Sequence, residues 1–137
     1  AFNVDEWSKI ISDASAVIYQ FPFYWMSAPS LLKKWQDEVF TFLSKTPAVA
    51  GKPLTVVTTT GSEYEAYRSG GRNRFTTDEL LRPYQVNAIH SGMSWQTPIV
   101  VYGMGTADAG KNIAEGANLY KQRVEMLIGN SNAGNNW

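Results

Sequence analysis

The chain has no cysteine, no net charge and no long uninterrupted apolar run. The absence of cysteine excludes a disulfide framework, thiolate metal ligands and a cysteine nucleophile. Twelve basic and twelve acidic side chains cancel, so no long-range field directs the protein to nucleic acid or anionic lipid. No apolar stretch approaches the roughly 18 residues of a membrane span, and no signal peptide is recognisable. These absences predict a cytoplasmic protein with neither nucleic-acid binding nor membrane insertion.

What is present is typical of one globular domain that is rich in aromatic side chains. The length of 137 residues and the hydrophobic content of 44% support a single packed core. Five tryptophans and seven tyrosines exceed what packing alone usually requires. The only histidine, His90, stands near a predicted helix end and is interpreted as structural, and no carboxylate cluster indicates a metal. A serine hydrolase is excluded because the chain lacks a Gly-x-Ser-x-Gly motif.

Apolar runs separated by helical patterns predict a parallel sheet built from strand–helix–strand units. The predicted strands are Ala16–Phe21, which we expect to be buried on both faces, Leu54–Thr58 and Pro98–Tyr102. The predicted helices begin at an Asn3 cap, at a Ser27 or Ser30 cap, at a capping box on Thr76 with a break near Pro83, and near Thr106 or Asp108 with an end at Gly129. Neither an internal repeat nor a domain boundary is visible.

The most informative segment is the aromatic run that follows the first predicted strand. Phe23, Tyr24, Trp25 and Met26 stand between Pro22 and the next helix, at the carboxyl end of a strand. In open α/β sheets this edge is where ligands bind. From composition alone, an aromatic cluster that fills a core or an oligomer interface is the better interpretation.

The order of residues in this segment adds a family resemblance. Pro22-Phe-Tyr-Trp-Met-Ser-Ala-Pro29 is followed by Leu32-Lys-Lys-Trp-Gln-Asp-Glu-Val39. This pattern resembles the flavodoxin-like NAD(P)H:quinone oxidoreductases, the group of DT-diaphorase and of the oxidoreductase-like ancillary subunits of bacterial potassium-efflux systems. The resemblance implies an α/β, flavodoxin-like three-layer sandwich with a parallel sheet, seen here from its third strand onward.

The resemblance also implies a division of the chain. Residues 1–129 would form a flavodoxin-like flavin-binding domain that lacks its first two strands, followed by a polar tail over residues 130–137. We expect the two strands and their phosphate-binding loop to precede residue 1, because their loss would expose the apolar edge of Ala16–Phe21. A truncated, flavin-free paralogue is the alternative.

Site residues follow from the same resemblance. The flavin would be bound by two loops, which supply flat apolar walls, backbone N–H groups and hydroxyls. The residues of these loops are Phe23, Tyr24, Trp25 and Met26 in the first, and Thr59, Thr60, Gly61 and Ser62 in the second. Tyr67 stands where family members carry a tyrosine that stabilises charge during hydride transfer, and it is the candidate catalytic residue. Two departures are visible: Ser62 replaces a second glycine, and Asn73 stands where the family has a histidine.

The implied activity is two-electron, ping-pong reduction of quinones or similar acceptors by NAD(P)H, with FMN or FAD bound. Arg68, Arg72 and Arg74 lie in a glycine-rich loop, where they either attract the phosphates of NAD(P)H or are merely solvated. The implied assembly is a homodimer with both active sites at its interface. A regulatory ancillary subunit that acts on a potassium-efflux antiporter is the second interpretation.

Overall fold

The computed structural model describes residues 1–133 and contains one parallel sheet. Its strands are β1 (Val17–Pro22), β2 (Pro53–Thr59), β3 (Ser94–Trp95) and β4 (Ile99–Val101). Strand β2 pairs with β1 along its whole length on one side, and with β3 and then β4 on the other. The family's α/β arrangement, with a parallel sheet between helices, is therefore confirmed.

The third predicted strand differs from the structure. The sequence predicts one strand over Pro98–Tyr102, whereas the structure has two short segments, β3 and β4, that share the same side of β2. The hydroxyl of Thr55 donates to the carbonyl oxygens of Gln96 and Thr97, both at 3.1 Å, and so satisfies the backbone where the strand is interrupted. Pro98 follows directly and has no N–H to contribute to the ladder.

The helical segments surround the sheet. They are α1 (Val4–Asp13), α2 (Ser30–Trp35), a π-helical turn (Gln36–Phe40), α3 (Thr41–Leu43), a 3₁₀ turn (Tyr64–Tyr67), α4 (Thr77–Leu80), α5 (Arg82–His90) and α6 (Ala109–Ala133). Over the described residues 1–133, none of these helices has the length and apolar character needed to cross a bilayer.

Three sequence features of the helices are confirmed. The side chain of Asn3 accepts the N–H of Glu6 and caps α1. Thr76 and Glu79 form a reciprocal capping box at α4. Leu81 separates α4 from α5, and Pro83 follows in the first turn of α5, where a missing N–H costs nothing.

Two helix boundaries were predicted wrongly. Helix α2 begins after Pro29, which makes no side-chain capping bond, so neither Ser27 nor Ser30 caps it. Helix α6 continues through Gly129 to Ala133. A glycine weakens a helix interior by about 1 kcal/mol but does not end the helix unless it turns left-handed. The rest of the predicted tail, residues 134–137, lies outside the described residues.

Side chains alternate between the two faces of the sheet. Tyr19 and Phe21 of β1 pack, with Leu54 and Val56 of β2, beneath one group of helices. That core has the buried members Ile11, Trp35, Val39, Phe40, Leu43, Tyr84 and Ala88. The opposite face carries Val57, Ile99 and Val101 and is covered by α6, whose Leu127 is buried. The three layers are thus helices, sheet and a single helix.

One consequence concerns β1, which the sequence predicted to be buried on both faces. Tyr19 and Phe21 are buried, but Gln20 between them is exposed. The side-chain oxygen of Gln20 accepts a hydrogen bond from the hydroxyl of Tyr120 on α6 at 3.2 Å. Helix α6 thus makes a polar contact with β1 at an exposed position, and the prediction that the strand is buried on both faces is wrong.

Helix α6 approaches β4 closely because a glycine faces the strand. A β-carbon added at Gly116 would lie 2.3 Å from Cγ2 of Val101. Valine has few rotamers, so the clash cannot be relieved by a simple side-chain rotation. At Gly129, farther along the same helix, an added β-carbon meets nothing within 4 Å.

We predict that Gly116→Ala destabilises the protein by about 1–3 kcal/mol, because an extra methyl group overpacks the contact between α6 and β4. The matched control Gly129→Ala adds the same methyl group to the same helix, and we expect it to stabilise by about 0.5–1 kcal/mol through helix propensity. Urea unfolding monitored by circular dichroism measures both. Equal effects of the two substitutions would contradict the close packing at Gly116.

Candidate functional site

Three loops meet where the strands end at the carboxyl edge of the sheet. They follow β1 (residues 23–28), β2 (Thr60–Ser62) and β4 (Gly103–Thr106). The N–H of Phe23 donates to the carbonyl of Thr59 at 2.8 Å, which joins the first loop to the second. Backbone N–H groups of the third loop donate to the carbonyls of the second at 2.8–2.9 Å: Gly103 to Ser62, Met104 to Thr60 and Gly105 to Gly61.

The first loop contains a tight turn over Tyr24–Ser27, called here the aromatic turn. Tyr24 and Ser27 exchange two backbone hydrogen bonds at 2.8 and 3.0 Å. Trp25 and Met26 between them have φ values of 48° and 61°. Two consecutive positive φ values are typical of type I′ turns, which favour asparagine and glycine. For each residue other than asparagine and glycine, a left-handed conformation costs about 1–2 kcal/mol.

The side chains of the aromatic turn are also exposed. Trp25 is 97% exposed, Tyr24 58% and Met26 42%. No burial of these side chains within the chain offsets the strain. Strained, unburied residues cluster at binding sites and active sites, so the aromatic turn is the strongest candidate for a functional element. It offers flat apolar surface at the open edge formed by the three loops, residues 23–28, 60–62 and 103–106, which is called here the rim.

The second loop presents backbone rather than side chains. Thr60 is 1% exposed, and its hydroxyl donates to the carbonyl of Ser62 at 2.8 Å. Thr60 therefore shapes the loop, and its hydroxyl does not point to the rim. Gly61 is exposed, and a β-carbon there would meet nothing within 4 Å. Within residues 1–133, the N–H groups of Gly61 and Ser62 have no acceptor, so they can donate to a ligand.

Tyr67 lies behind the loops. Its side chain is 5% exposed, and its ring centroid lies 6.1 Å from Phe23 and 5.9 Å from Tyr102. Tyr102 donates to or accepts from the hydroxyl of Thr77 at 2.6 Å, and burial raises its pKa above the ordinary value of 10. Tyr67 thus joins the first loop to a groove of about 660 Å³ beside β4, which is lined by Tyr64, Arg68 and Tyr102 among others.

The arginines of the glycine-rich loop have different surroundings. Arg72 makes two hydrogen bonds to the carboxylate of Glu63, one of them at 2.9 Å. Arg68 lies over the ring of Tyr64 at 5.5 Å, and Arg74 has a positive φ of 61°. Gly71 allows this loop to fold tightly, since a β-carbon there would lie 2.2 Å from the carbonyl oxygen of Glu65. Arg72 is therefore already committed to an ion pair.

Metal chemistry has no support in the part of the chain that the structure describes. No three side chains of the ligating types histidine, aspartate and glutamate converge there. His90 ends α5 and borders the groove between α5 and the π-helical turn. The rim therefore contributes aromatic surface and backbone donors.

Two contributors to the site were not predicted from the sequence. The third loop carries Gly103-Met-Gly105 directly after a strand, a signal that was visible but not used. Tyr84 of α5 reaches the aromatic turn: its hydroxyl accepts the N–H of Ala28 at 3.1 Å and is hydrogen-bonded to the hydroxyl of Ser27 at 3.2 Å. No local pattern relates residues that are 56 and 57 positions apart.

Comparison with known families gives a match over most of the chain. Residues 1–124 match the profile of the family described as "Flavodoxin-like fold". Among curated relatives, general stress protein 14 of Bacillus subtilis is 37% identical over 130 residues, which cover 92% of this chain and 74% of the relative. The potassium-efflux ancillary protein KefG of Cronobacter sakazakii is 38% identical over 104 residues, which cover 73% of this chain and 56% of the relative.

Solved structures agree on the fold. A general stress protein 14 from Treponema denticola, in complex with FMN, has a TM-score of 0.82 at 27% identity, covering 92% of this chain and 74% of that one. An NADPH-quinone reductase from P. pentosaceus has a TM-score of 0.71 at 28% identity, covering 99% and 76%. A protein named a thermophilic tryptophan halogenase, from Streptomycin violaceusniger, also has a TM-score of 0.82, at 37% identity, covering 90% and 74%. Proteins that share this fold therefore carry different functional names, and the activity of this chain must be argued from its own site.

The ion pair in the glycine-rich loop generates a pH prediction. The guanidinium of Arg72 lowers the pKa of Glu63 from 4.5 to about 2. Because the pKa is depressed in the folded state, the pair stabilises the loop fully above about pH 4.5, and this contribution is lost as the pH falls toward 2. We expect Arg72→Gln to return the titration midpoint of the Glu63 carboxyl toward 4.5, as measured by NMR. High salt should reduce the difference in the Glu63 titration midpoint between the two proteins, because both side chains of the ion pair are exposed. An unchanged midpoint in the variant would contradict the pairing.

Proposed function

The chain belongs to the flavodoxin-like fold family, and from this premise we propose that it is an FMN-dependent NAD(P)H oxidoreductase that reduces quinones or similar flat acceptors. The observation that carries the proposal is the rim itself, which combines exposed aromatic side chains, with Trp25 at a positive φ, and two backbone N–H groups that have no acceptor within residues 1–133. The FMN complex of general stress protein 14 and the NADPH-quinone reductase, both above 25% identity, support it.

The rim has the chemistry that the ring end of a flavin requires. Trp25 and Tyr24 offer flat apolar surface, and the N–H groups of Gly61 and Ser62 can donate to the ring's carbonyl oxygens and nitrogens. The open space at Gly61 lets the backbone come close to a planar ring. We therefore assign Phe23, Tyr24, Trp25, Met26, Thr59, Thr60, Gly61 and Ser62 to the flavin site.

Within that site the residues divide their roles. Thr59 and Thr60 shape the second loop, Gly61 and Ser62 donate from the backbone, and Phe23 packs beneath the first loop against Tyr67. We assign Tyr67 as a polar wall of the site rather than a proton donor in contact with substrate, since its ring is almost fully buried.

When bound, FMN would supply the redox chemistry by taking a hydride from NAD(P)H and passing it to the acceptor. The two flat partners would use the same exposed aromatic surface in turn, which is the structural requirement of a ping-pong reaction. The exposed rim leaves water free to supply the proton that completes the hydroquinone. No side chain at the rim is required as a general acid or base.

A second role is favoured by the KefG relatives, which are named as ancillary proteins of a potassium-efflux system. In that role the protein would act on an antiporter, and the exposed aromatic turn would be a contact surface for that partner. A potassium-efflux assay with and without the protein separates the roles. Quinone turnover without any effect on potassium efflux would contradict the regulatory role and support the enzymatic one.

Trp25→Asn tests the proposed function. Asparagine tolerates a positive φ, so we expect the melting temperature to stay the same or rise. Loss of the aromatic surface should weaken FMN binding about fivefold to tenfold and slow NADPH oxidation by a soluble benzoquinone. Fluorescence titration with FMN and steady-state kinetics measure the two effects. The control Phe42→Ala removes another exposed aromatic ring, 64% exposed, outside the three loops, and should leave both unchanged.

Two results would contradict this proposal at different levels. If the unmodified protein binds neither FMN nor FAD, the oxidoreductase assignment fails. If it binds FMN and Trp25→Asn binds equally well, the cofactor assignment stands, but the aromatic turn has no part in it. If the variant loses melting temperature as well as FMN affinity, the result would indicate that Trp25 supports packing.

We further propose a homodimer whose interface borders the aromatic turn and leaves the rim open to the two flat partners. Trp25 at 97% and Leu31 at 65% exposure extend the apolar patch of the turn onto α2, and such patches usually mark partner or ligand surfaces. The zero net charge offers no overall repulsion between copies. We expect light scattering at micromolar concentration to give the mass of a dimer, and Leu31→Lys to shift it toward the monomer. A monomer that retains FMN would contradict a site shared between copies.

A further inference from the structure

Tyr84 occupies an unusual place between the core and the rim. It lies on α5, and its side chain is 5% exposed. Its ring centroid lies 6.0 Å from that of Tyr19 and 5.3 Å from that of Phe21, both on β1. The ring is therefore held by the strand that leads into the aromatic turn. Only its hydroxyl extends beyond the core.

That hydroxyl makes its contacts at the end of the aromatic turn. It accepts the backbone N–H of Ala28 at 3.1 Å and is hydrogen-bonded to the hydroxyl of Ser27 at 3.2 Å. A tyrosine hydroxyl has one donor and two acceptor sites, so it can make both bonds at once. The turn is thereby tied on its inner side to β1 and on its outer side to α5.

The tie is significant because the turn is strained. Trp25 and Met26 adopt left-handed conformations that neither residue prefers. The two backbone bonds between Tyr24 and Ser27 close the turn on itself and do not join its exit to the rest of the fold. The bonds to Tyr84 link the exit of the turn to the helical layer by hydrogen bonding, beside the packing of Ala28 against the core.

We propose that Tyr84 is the positioning residue of the aromatic turn, whose hydroxyl fixes Ser27 and Ala28 and thereby sets the direction of the Trp25 side chain. This inference rests on the proposed function, because Trp25 is assigned there to the flavin site. Tyr84 itself does not reach the rim and contacts neither cofactor nor acceptor in this role.

Tyr84→Phe removes the hydroxyl and keeps the ring in the core. The amide of Ala28 loses its acceptor, and we expect its hydrogen exchange in the flavin-free protein to accelerate about tenfold, as is usual for one lost hydrogen bond. FMN affinity should fall about threefold to tenfold for the same reason. The melting temperature should change little, because the ring contacts to Tyr19 and Phe21 remain.

Tyr120→Phe is the matched control. It also removes one hydrogen-bonded tyrosine hydroxyl, which donates to Gln20 at 3.2 Å on the opposite face of the sheet. We expect normal exchange at Ala28 and normal FMN affinity in this variant. Exchange at individual amides is followed by NMR, and affinity by flavin fluorescence.

The outcomes separate this inference from the proposed function. Unchanged exchange at Ala28 in Tyr84→Phe overturns the positioning role, whether or not FMN binds. Faster exchange across all amides, with a matching loss of melting temperature, also overturns it, because Tyr84 would then be purely a core residue. Faster exchange confined to residues 24–28 supports it even if FMN does not bind. Such local exchange with an unchanged FMN affinity limits the role to the turn and overturns its link to the flavin site.

Discussion

The candidate site depends on β2 being paired on both sides in one register. Pro22 of β1 and Val101 of β4 both lie opposite Thr59, so three parallel chains leave the sheet at the same level. Because the strands end together, their loops can exchange backbone hydrogen bonds, as Phe23 does with Thr59 and Met104 with Thr60. A shift of one residue would turn each strand's buried side chains to the other face. The apolar core and the geometry of the rim are therefore set by the same ladder.

On this scaffold the aromatic turn combines low stability with a fixed position. The positive φ values of Trp25 and Met26 are unfavourable for such large residues. The turn is nevertheless closed by its own pair of backbone hydrogen bonds and held by the hydroxyl of Tyr84. A protein under selection for stability alone would have asparagine and glycine at Trp25 and Met26. The strain is more easily explained by a requirement for a large flat side chain, directed away from the core, at this point. Sites that bind rigid planar molecules gain affinity when such surfaces are held in place before the ligand arrives.

The sequence predicted the parts of the fold that local patterns encode. The first two strands, the Asn3 cap, the capping box at Thr76 and the break near Pro83 all follow from residues within a few positions of each other. The assignment of two loops to the site also comes from short motifs beside strands, and it stays a prediction. What was not predicted depends on long-range contacts: the split of the third strand is held by Thr55, and the support of the aromatic turn comes from Tyr84. Gly129 does not end α6, because its backbone does not adopt the left-handed conformation with which a glycine ends a helix.

The roles of Thr58 and Thr60, at and just after the end of β2, show why a motif does not specify chemistry by itself. A Thr-Thr-Gly sequence indicates hydroxyls near a ligand, yet the hydroxyl of Thr58 donates to Phe21 at 2.7 Å and that of Thr60 to Ser62 at 2.8 Å. Both bonds are internal, and both hold loops in place. Among the groups that can still reach a ligand are the N–H groups that follow, at Gly61 and Ser62, and these are independent of side-chain type. A site that binds through its backbone tolerates the serine that replaces a second glycine, provided that the loop keeps its shape.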